Sequence, residues 1–189
     1  RVMDTPLAEN GITGIAIGAA IAGMRPIFVH MRVDFLPLTM DQIMNHAAKW
    51  RYMFGGAVSV PMTVRSIIGR GWGSAAQHSQ SLQSIFAHIP GLKVVMPANP
   101  YDAKGLLRAS VYDGNPVIFI EHRWLYDHMG HVPKEPYTVP IGKGIIRRKG
   151  GDVTIVALSL MVFEAMQAAD ILSKDGIEAE VIDLRTVKP

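Results

Sequence analysis

The sequence predicts an α/β protein: a doubly wound parallel sheet followed by the start of a second α/β domain. Three observations predict it. Short β-branched or apolar runs alternate with longer helical patterns, as in a succession of β-α-β units. The strand candidates are apolar on both faces, as parallel strands covered by helices on each side are. After a proline-rich break over residues 122–144, one further β-α-β succession follows, too small to bury its own faces.

Taken in order, residues 11–23 form the first helix candidate. It is rich in Gly and Ala and apolar around most of its circumference, which predicts burial. A strand over 27–30 and a helix over 39–53 follow, then a strand over 61–65, a helix over 81–87 and a strand over 93–96. The helix over 100–112 carries the clearest punctuation. Asn99 caps it, Pro100 takes the first helical position, Asp102 complements the dipole, and Asp113-Gly114 closes it. A strand over 117–120 completes the first domain, assigned to residues 1–121. Residues 122–150, with Pro133, Pro136 and Pro140, read as a connection or long loop. The incomplete second domain, 151–189, contains a strand over 153–158, a helix over 160–174 with Ser159 as its cap and Gly176 as its stop, and a strand over 178–184.

The 189 residues are 49% hydrophobic and 19% charged, an ordinary globular composition. Cysteine is absent, which excludes disulfides and thiolate chemistry. No apolar run approaches the roughly 20 residues of a membrane-spanning helix. The net charge of +3 is unevenly distributed. No Asp or Glu lies between Asp41 and Asp102, a stretch carrying Lys49, Arg51, Arg65, Arg70 and Lys93. Such a surface faces an anion (a diphosphate, an acidic substrate or an acidic partner) or has no purpose. Its basic residues are sparse and not interleaved with aromatics, which argues against nucleic acid.

Four features carry candidate chemistry. The glycine-rich loop Gly69-Arg70-Gly71-Trp72-Gly73-Ser74 follows a strand, but the glycine spacing and the missing ribose-binding acid exclude a dinucleotide fingerprint. It reads as a loop that lets backbone approach a neighbour closely. His122, His128 and His131 match no zinc spacing and read as a solvated or interface loop, while His30 and His46 read as structural. His78 follows the glycine-rich loop among small and polar residues, where α/β folds place chemistry, although it also suits a helix cap. Glu9 either complements a helix N-terminus or is held by a ligand, since a carboxylate leading into a buried helix is otherwise costly.

Longer stretches are more specific. The segments 4–9 and 14–26, then 31–35, Asp41-Gln42-Ile43, 45–49, Ala76-Gln77-His78-Ser79-Gln80, 90–95, 102–106, Asn115-Pro116, 141–143 and 183–187 appear in order. Together they resemble the beta subunit of the first component of 2-oxo acid dehydrogenases, the family of pyruvate, branched-chain 2-oxo acid and acetoin dehydrogenases. The resemblance implies a thiamine diphosphate pyrimidine-binding fold of transketolase type. It implies that Glu9 hydrogen-bonds the aminopyrimidine ring nitrogen and that Leu7, Met31 and Phe35 pack around that ring. It places His78 near the reacting carbon as proton donor or stabiliser. Met62, Ser110, Asp113 and Asn115 match a potassium site built partly from backbone, supporting the region of His78.

The Gly-Asp-Gly motif that holds diphosphate and Mg2+ is absent, since Gly151-Asp152-Val153 does not qualify. In the family it belongs to the alpha subunit. The resemblance therefore implies a cofactor shared with an alpha subunit that holds most of the Mg2+ shell, an α2β2 assembly with a second beta subunit, and a lipoyl acyltransferase partner. It implies decarboxylation of a 2-oxo acid with acyl transfer to a lipoyl carrier, inactive without the alpha subunit, in the cytoplasm or, in a eukaryote, the mitochondrial matrix. It also implies that both ends lie inside a longer protein. Residues 66–72 and 121–131 depart from the usual family pattern. The departure keeps two alternatives open: a transketolase-like or acetoin-type enzyme on another substrate, and a non-catalytic assembly module.

Overall fold

A computed structural model describes residues 1–71 and 73–189; Trp72, inside the glycine-rich loop, lies outside the described residues. The elements run α1 (Glu9–Ile21), β1 (Ile27–His30), a 3-10 turn (Val33–Thr39), a π-helical stretch (Asp41–Ala47), α2 (Trp50–Met53) and β2 (Thr63–Ile68). A 3-10 turn (Ala76–His78), α3 (Gln83–His88), β3 (Lys93–Val95), α4 (Pro100–Tyr112), β4 (Val117–His122) and a 3-10 turn (Arg123–Leu125) follow. The chain then forms β5 (Ile145–Arg148), β6 (Val153–Ala157), α5 (Leu160–Leu172), a 3-10 turn (Ser173–Asp175), β7 (Ala179–Asp183) and β8 (Thr186–Lys188).

The first sheet has the order β1-β2-β4-β3-β8. Its first four strands are parallel, and β8 joins antiparallel to β3. Successive residues alternate between faces. Val64, Val94, Ile118 and Ile120 pack with Ile17 and Ala20 of α1, with Leu36 and Ile43, and with Phe86 of α3. Val95, Val117 and Phe119 pack on the other face with Leu106 of α4 and Val139. Both faces are thus covered, the expected doubly wound arrangement. Every residue from Val117 to Ile120 is fully buried, and each such side chain contributes about 2 kcal/mol. The second sheet, β5-β7-β6, is covered on one face by α5 through Val162, Ala165 and Ala169. Ile146, Val153 and Val156 remain 43–56% exposed, in keeping with a unit too small to enclose itself.

Several expectations are corrected. The helix expected over 39–53 is a succession of 3-10, π and short α turns. Pro37 supplies no N–H to a regular start. Where the π stretch ends, Gly91 crosses so closely that a β-carbon there would lie 2.0 Å from the Ala48 carbonyl. Helix α1 buries Thr13, Ala16, Ile17 and Ala20, but Ile15 and Ile21 are exposed, so its apolar circumference is only half used. Ser159 does not cap α5 with its side chain: it has φ +53°, and its Oγ is buried without a partner. Gly176 does stop the segment, in the left-handed conformation.

The basic stretch does not form one anion-facing surface. Lys49 donates to the Pro90 carbonyl (2.6 Å) and Arg51 to Asn115 Oδ1 (3.1 Å). Arg65 pairs with Glu121 and Lys93 with Asp113. Arg70 lies over an aromatic ring, that of Trp124. The missing local acids are replaced by Glu121 of β4, Asp113 and Asn115 before it, and the Pro90 carbonyl before β3.

Candidate active site

The parallel strands deliver their carboxyl ends to one edge. In register, His30 of β1 lies beside Ser66 of β2, and Ile68 of β2 beside His122 of β4. Loops leaving this edge are where an α/β sheet presents ligand-binding groups. Met31 leaves β1 there, 77% exposed. The loop from Gly69 leaves β2 there and ends in the 3-10 turn Ala76–His78.

His78 is positioned from two sides. Its ring meets the Phe35 ring edge-on, with centroids 5.2 Å apart. Asp34 Oδ1 accepts from both the backbone N–H and the side-chain amide of Gln80, each at 3.0 Å, tying the Val33–Thr39 turn to the segment after His78. Ala75 enters this turn at φ +53°, and Ser79 Oγ donates to its carbonyl at 2.7 Å. A non-glycine residue held in that region stores strain, which is characteristic of functional turns. Sequence reasoning missed Ala75, because its strain has no compositional signal.

Glu9 opens α1, half-buried, with Thr13 Oγ1 donating to its carbonyl at 2.6 Å. Its charge reaches His30, which sequence reasoning had treated as structural. Burial pushes the His30 imidazole below its ordinary value of 6.5, and Glu9 opposes that shift. His30 Nε2 is buried without a hydrogen-bond partner. Leu7, 96% exposed, and Met31 present apolar side chains that no part of the chain covers. A carboxylate, a buried imidazole nitrogen awaiting a partner and bare apolar walls fit an aromatic heterocycle with polar ring nitrogens, such as an aminopyrimidine.

The residues matched to a metal are not part of this cluster. Met62 and Asn115 precede β2 and β4, and Ser110 and Asp113 lie at the end of α4, so the group sits at the amino edge of the sheet. Its oxygens are of the hard type that suits potassium. Three cationic side chains of the chain already approach them. Lys93 Nζ is 2.5 Å from Asp113 Oδ2, Arg25 donates to the Val111 and Asp113 carbonyls at 2.8 and 3.0 Å, and Arg51 reaches Asn115. Despite the burial that opposes it, Lys93 and Asn115 hold the Asp113 carboxyl below the usual carboxylate value.

Beside the His78 loop, residues 121–131 form a pinned wall. Glu121 receives Arg65 and the Tyr126 hydroxyl (2.8 Å), and His122 Nδ1 accepts from the Trp124 backbone N–H (3.2 Å). Gly69, at φ +86°, is required because a β-carbon there would lie 2.6 Å from the His122 ring. The His128 ring packs edge-on against Phe163 of α5 at 4.3 Å, so this histidine docks the loop rather than standing in solvent. No cluster of three or more His, Cys, Asp or Glu able to hold a metal occurs among the described residues. A cleft of about 550 Å³ opens here, lined by Arg70, Gly71, Arg123, Trp124, Asp127 and His128.

Comparison with known proteins identifies the domains. Residues 1–128 match the family described as the transketolase pyrimidine-binding domain, and residues 142–189 match the transketolase C-terminal domain. Over its whole length the chain is 53% identical to the acetoin:2,6-dichlorophenolindophenol oxidoreductase subunit beta of Cupriavidus necator, covering 56% of that protein. It is 52% identical to the 2-oxoisovalerate dehydrogenase subunit beta of Bacillus subtilis, covering 58% of it. The chain therefore spans somewhat more than half the length of these relatives. Among solved structures, a split-gene transketolase in an inactive beta4 tetramer superposes with a TM-score of 0.80 at 22% identity, over 97% of this chain and 57% of that one, which shows the shared fold. The chain belongs to the transketolase family, as the pyrimidine-binding domain joined to the C-terminal domain.

Proposed function

We propose that the chain is the beta subunit of a thiamine diphosphate-dependent 2-oxo acid dehydrogenase, decarboxylating a 2-oxo acid and passing the acyl group to a lipoyl carrier. The observation that carries it is two pairs on segments at the carboxyl edge of the sheet: Glu9 acts on His30, next to Met31 in the chain, and the Phe35 ring packs against His78. Whole-length similarity to beta subunits acting on acetoin and 2-oxoisovalerate, by name, supports the same reading.

Thiamine diphosphate, when bound, supplies the carbon nucleophile and the electron sink for decarboxylation. The chain's own residues do the rest. Glu9 would hold a proton against a ring nitrogen of the bound pyrimidine and so orient and polarise that ring. Leu7, Met31 and Phe35 wall the ring and exclude water. Phe35 and the strained turn at Ala75 fix the His78 imidazole, which moves a proton at the substrate oxygen. The diphosphate and most of the Mg2+ shell fall to an alpha subunit, because the sequence contains no Gly-Asp-Gly. The exposed apolar residues Ile15 and Ile21 of α1 and Ile27 and Val29 of β1 support burial against other chains in an α2β2 assembly with a second beta subunit, served by a lipoyl acyltransferase.

The domain division 1–121, 122–150 and 151–189 is part of the proposal, supported by the two separate sheets. Potassium at Met62, Ser110, Asp113 and Asn115 is also retained, supported by the carbonyl and carboxamide oxygens there, with the Lys93 ammonium as its competitor. Among the described residues no helix is long and apolar enough to cross a membrane. The proposed site of action is the cytoplasm, or the mitochondrial matrix in a eukaryote.

The test is reconstitution with an alpha-type chain carrying Gly-Asp-Gly. Thiamine diphosphate should bind the pair and not this chain alone. Glu9→Gln in the pair should lower cofactor-dependent decarboxylation at least about a hundredfold, the range of general acid–base effects. Near-normal turnover in that variant would sink the assignment.

A further inference from the structure

The cleft beside the His78 loop has an unusual combination of charge and rigidity. Arg70 lies over the Trp124 ring at 4.7 Å, and no carboxylate pairs with it among the described residues. Arg123 adds a second guanidinium, and Asp127 is the one carboxylate in the lining. The walls are held independently of any ligand. Trp124 Nε1 donates to the Arg70 carbonyl at 3.0 Å, Trp124 N–H donates to His122, and His128 is docked on Phe163. A guanidinium stacked on an indole has its plane fixed while its N–H edges stay open, the geometry that grips a planar or tetrahedral anion through paired hydrogen bonds. The volume, about 550 Å³, suits a small molecule. Arg70 stands on the same loop that ends in His78, so the cleft and the reacting centre share one segment of chain.

We propose that this cleft recognises a second, distal anionic group on the substrate, so that the enzyme prefers a 2-oxo acid bearing an additional carboxylate or phosphate-like group over one with an alkyl side chain. Arg70 is the specificity-determining residue and Trp124 its positioning residue. The inference rests on the 2-oxo acid reading above and deepens it. It also gives residues 121–131, which form one wall of the cleft, a purpose.

The experiment uses the reconstituted pair of chains. kcat/KM is measured for 2-oxobutyrate, 2-oxoglutarate and a 2-oxo acid ending in a phosphonate, and the two anionic arms distinguish carboxylate from phosphate recognition. Glutarate, which lacks the oxo group, is titrated calorimetrically as a direct binding probe. The expected result is an anionic-over-neutral kcat/KM ratio of at least about tenfold, falling about tenfold in Arg70→Met and in Trp124→Leu, with the loss in KM more than in kcat. Glutarate should bind the unaltered pair and not Arg70→Met. Arg70→Lys, which keeps charge but not the stacked fork, should restore the ratio only in part. A preference for 2-oxobutyrate, or a ratio unchanged in Arg70→Met, overturns the proposal while leaving decarboxylation intact. Failure to turn over any 2-oxo acid overturns the enzymatic reading instead, and glutarate binding then still decides whether the cleft takes anions.

Discussion

His30 shows how a residue acquires a role through its surroundings. On the sequence it is one of seven histidines, at the end of an apolar run. In the fold it is buried, its Nε2 has no partner, and the Glu9 charge acts on it. Burial favours the neutral ring, so the folded-state pKa lies below the unfolded value near 6.5. His122 is shifted in the same direction by burial alone. For both, the unfolded chain binds more protons as pH falls through 6.5, so their contribution is fully present above that pH and is lost on descent toward the folded pKa. Thermal midpoints recorded from pH 7.5 to 5.5 should therefore decline, and His30→Gln should flatten that decline. A wild-type midpoint constant across the range would contradict the burial argument. Gly69 gives a sterically cleaner test. Gly69→Ala places a β-carbon against the His122 ring and strains φ, and should cost about 1–3 kcal/mol in urea unfolding. An unchanged midpoint would mean that the loop yields freely.

Among the elements, α4 was legible because every signal for it is local. Asn99 Oδ1 accepts the Asp102 N–H at 2.8 Å, and Pro100 occupies the start, as the sequence implied. Asn99→Ala should cost about 1 kcal/mol, read as a shift in denaturant midpoint at constant slope. A cost near zero would show that the cap and the second bond, from Asn99 Nδ2 to the Asp102 carboxylate, together carry no net stabilisation. Strand β4 was legible for a similar reason, since burial on both faces writes the continuous apolar run Val117 to Ile120. Strands β5 and β8 were not. Each is three or four residues long, and Arg147, Arg148 and Lys188 interrupt their apolar pattern. Their existence depends on β7 and β3, partners far along the chain. The end of the π winding was hidden likewise, because the chain that crosses Ala48 there comes from Gly91, more than 40 residues further on. At the candidate site, Glu9, Phe35 and His78 are proposed through family resemblance, and the structure adds the contact between Phe35 and His78. The strain at Ala75 and the orphaned nitrogen of His30 exist only once the chain is packed.

At the scale of the whole molecule, the two sheets meet through charge as well as apolar packing. Asp102 of α4 and Asp183 of β7 are both fully buried. Arg147 of β5 bridges them, pairing with Asp102 and reaching Asp183 Oδ2 at 2.7 Å. Arg185 pairs with Asp102 Oδ1 at 2.8 Å, and its carbonyl accepts the Met96 N–H just past β3. Two guanidiniums thus neutralise two carboxylates, one from α4, which packs on the first sheet, and one from β7 of the second. A buried pair of this kind adds little net energy over an apolar replacement, but deleting one partner strands a charge. Arg147→Met leaves Arg185 to serve both Asp102 and Asp183, and should cost about 3–5 kcal/mol. Arg148→Met is the control, since its partners Asp170 and Glu178 are more than half exposed and water replaces them readily. Urea unfolding followed by tryptophan fluorescence and by far-UV circular dichroism separates the outcomes. If Arg147 holds the sheets together, its loss should lower the midpoint far more than that of Arg148 and split the two signals, because all three tryptophans, Trp50, Trp72 and Trp124, precede the second sheet in the chain. If the signals still coincide and the midpoint equals that of Arg148→Met, β8 pairing on β3 is what joins the two sheets, and the charge network is incidental to their docking.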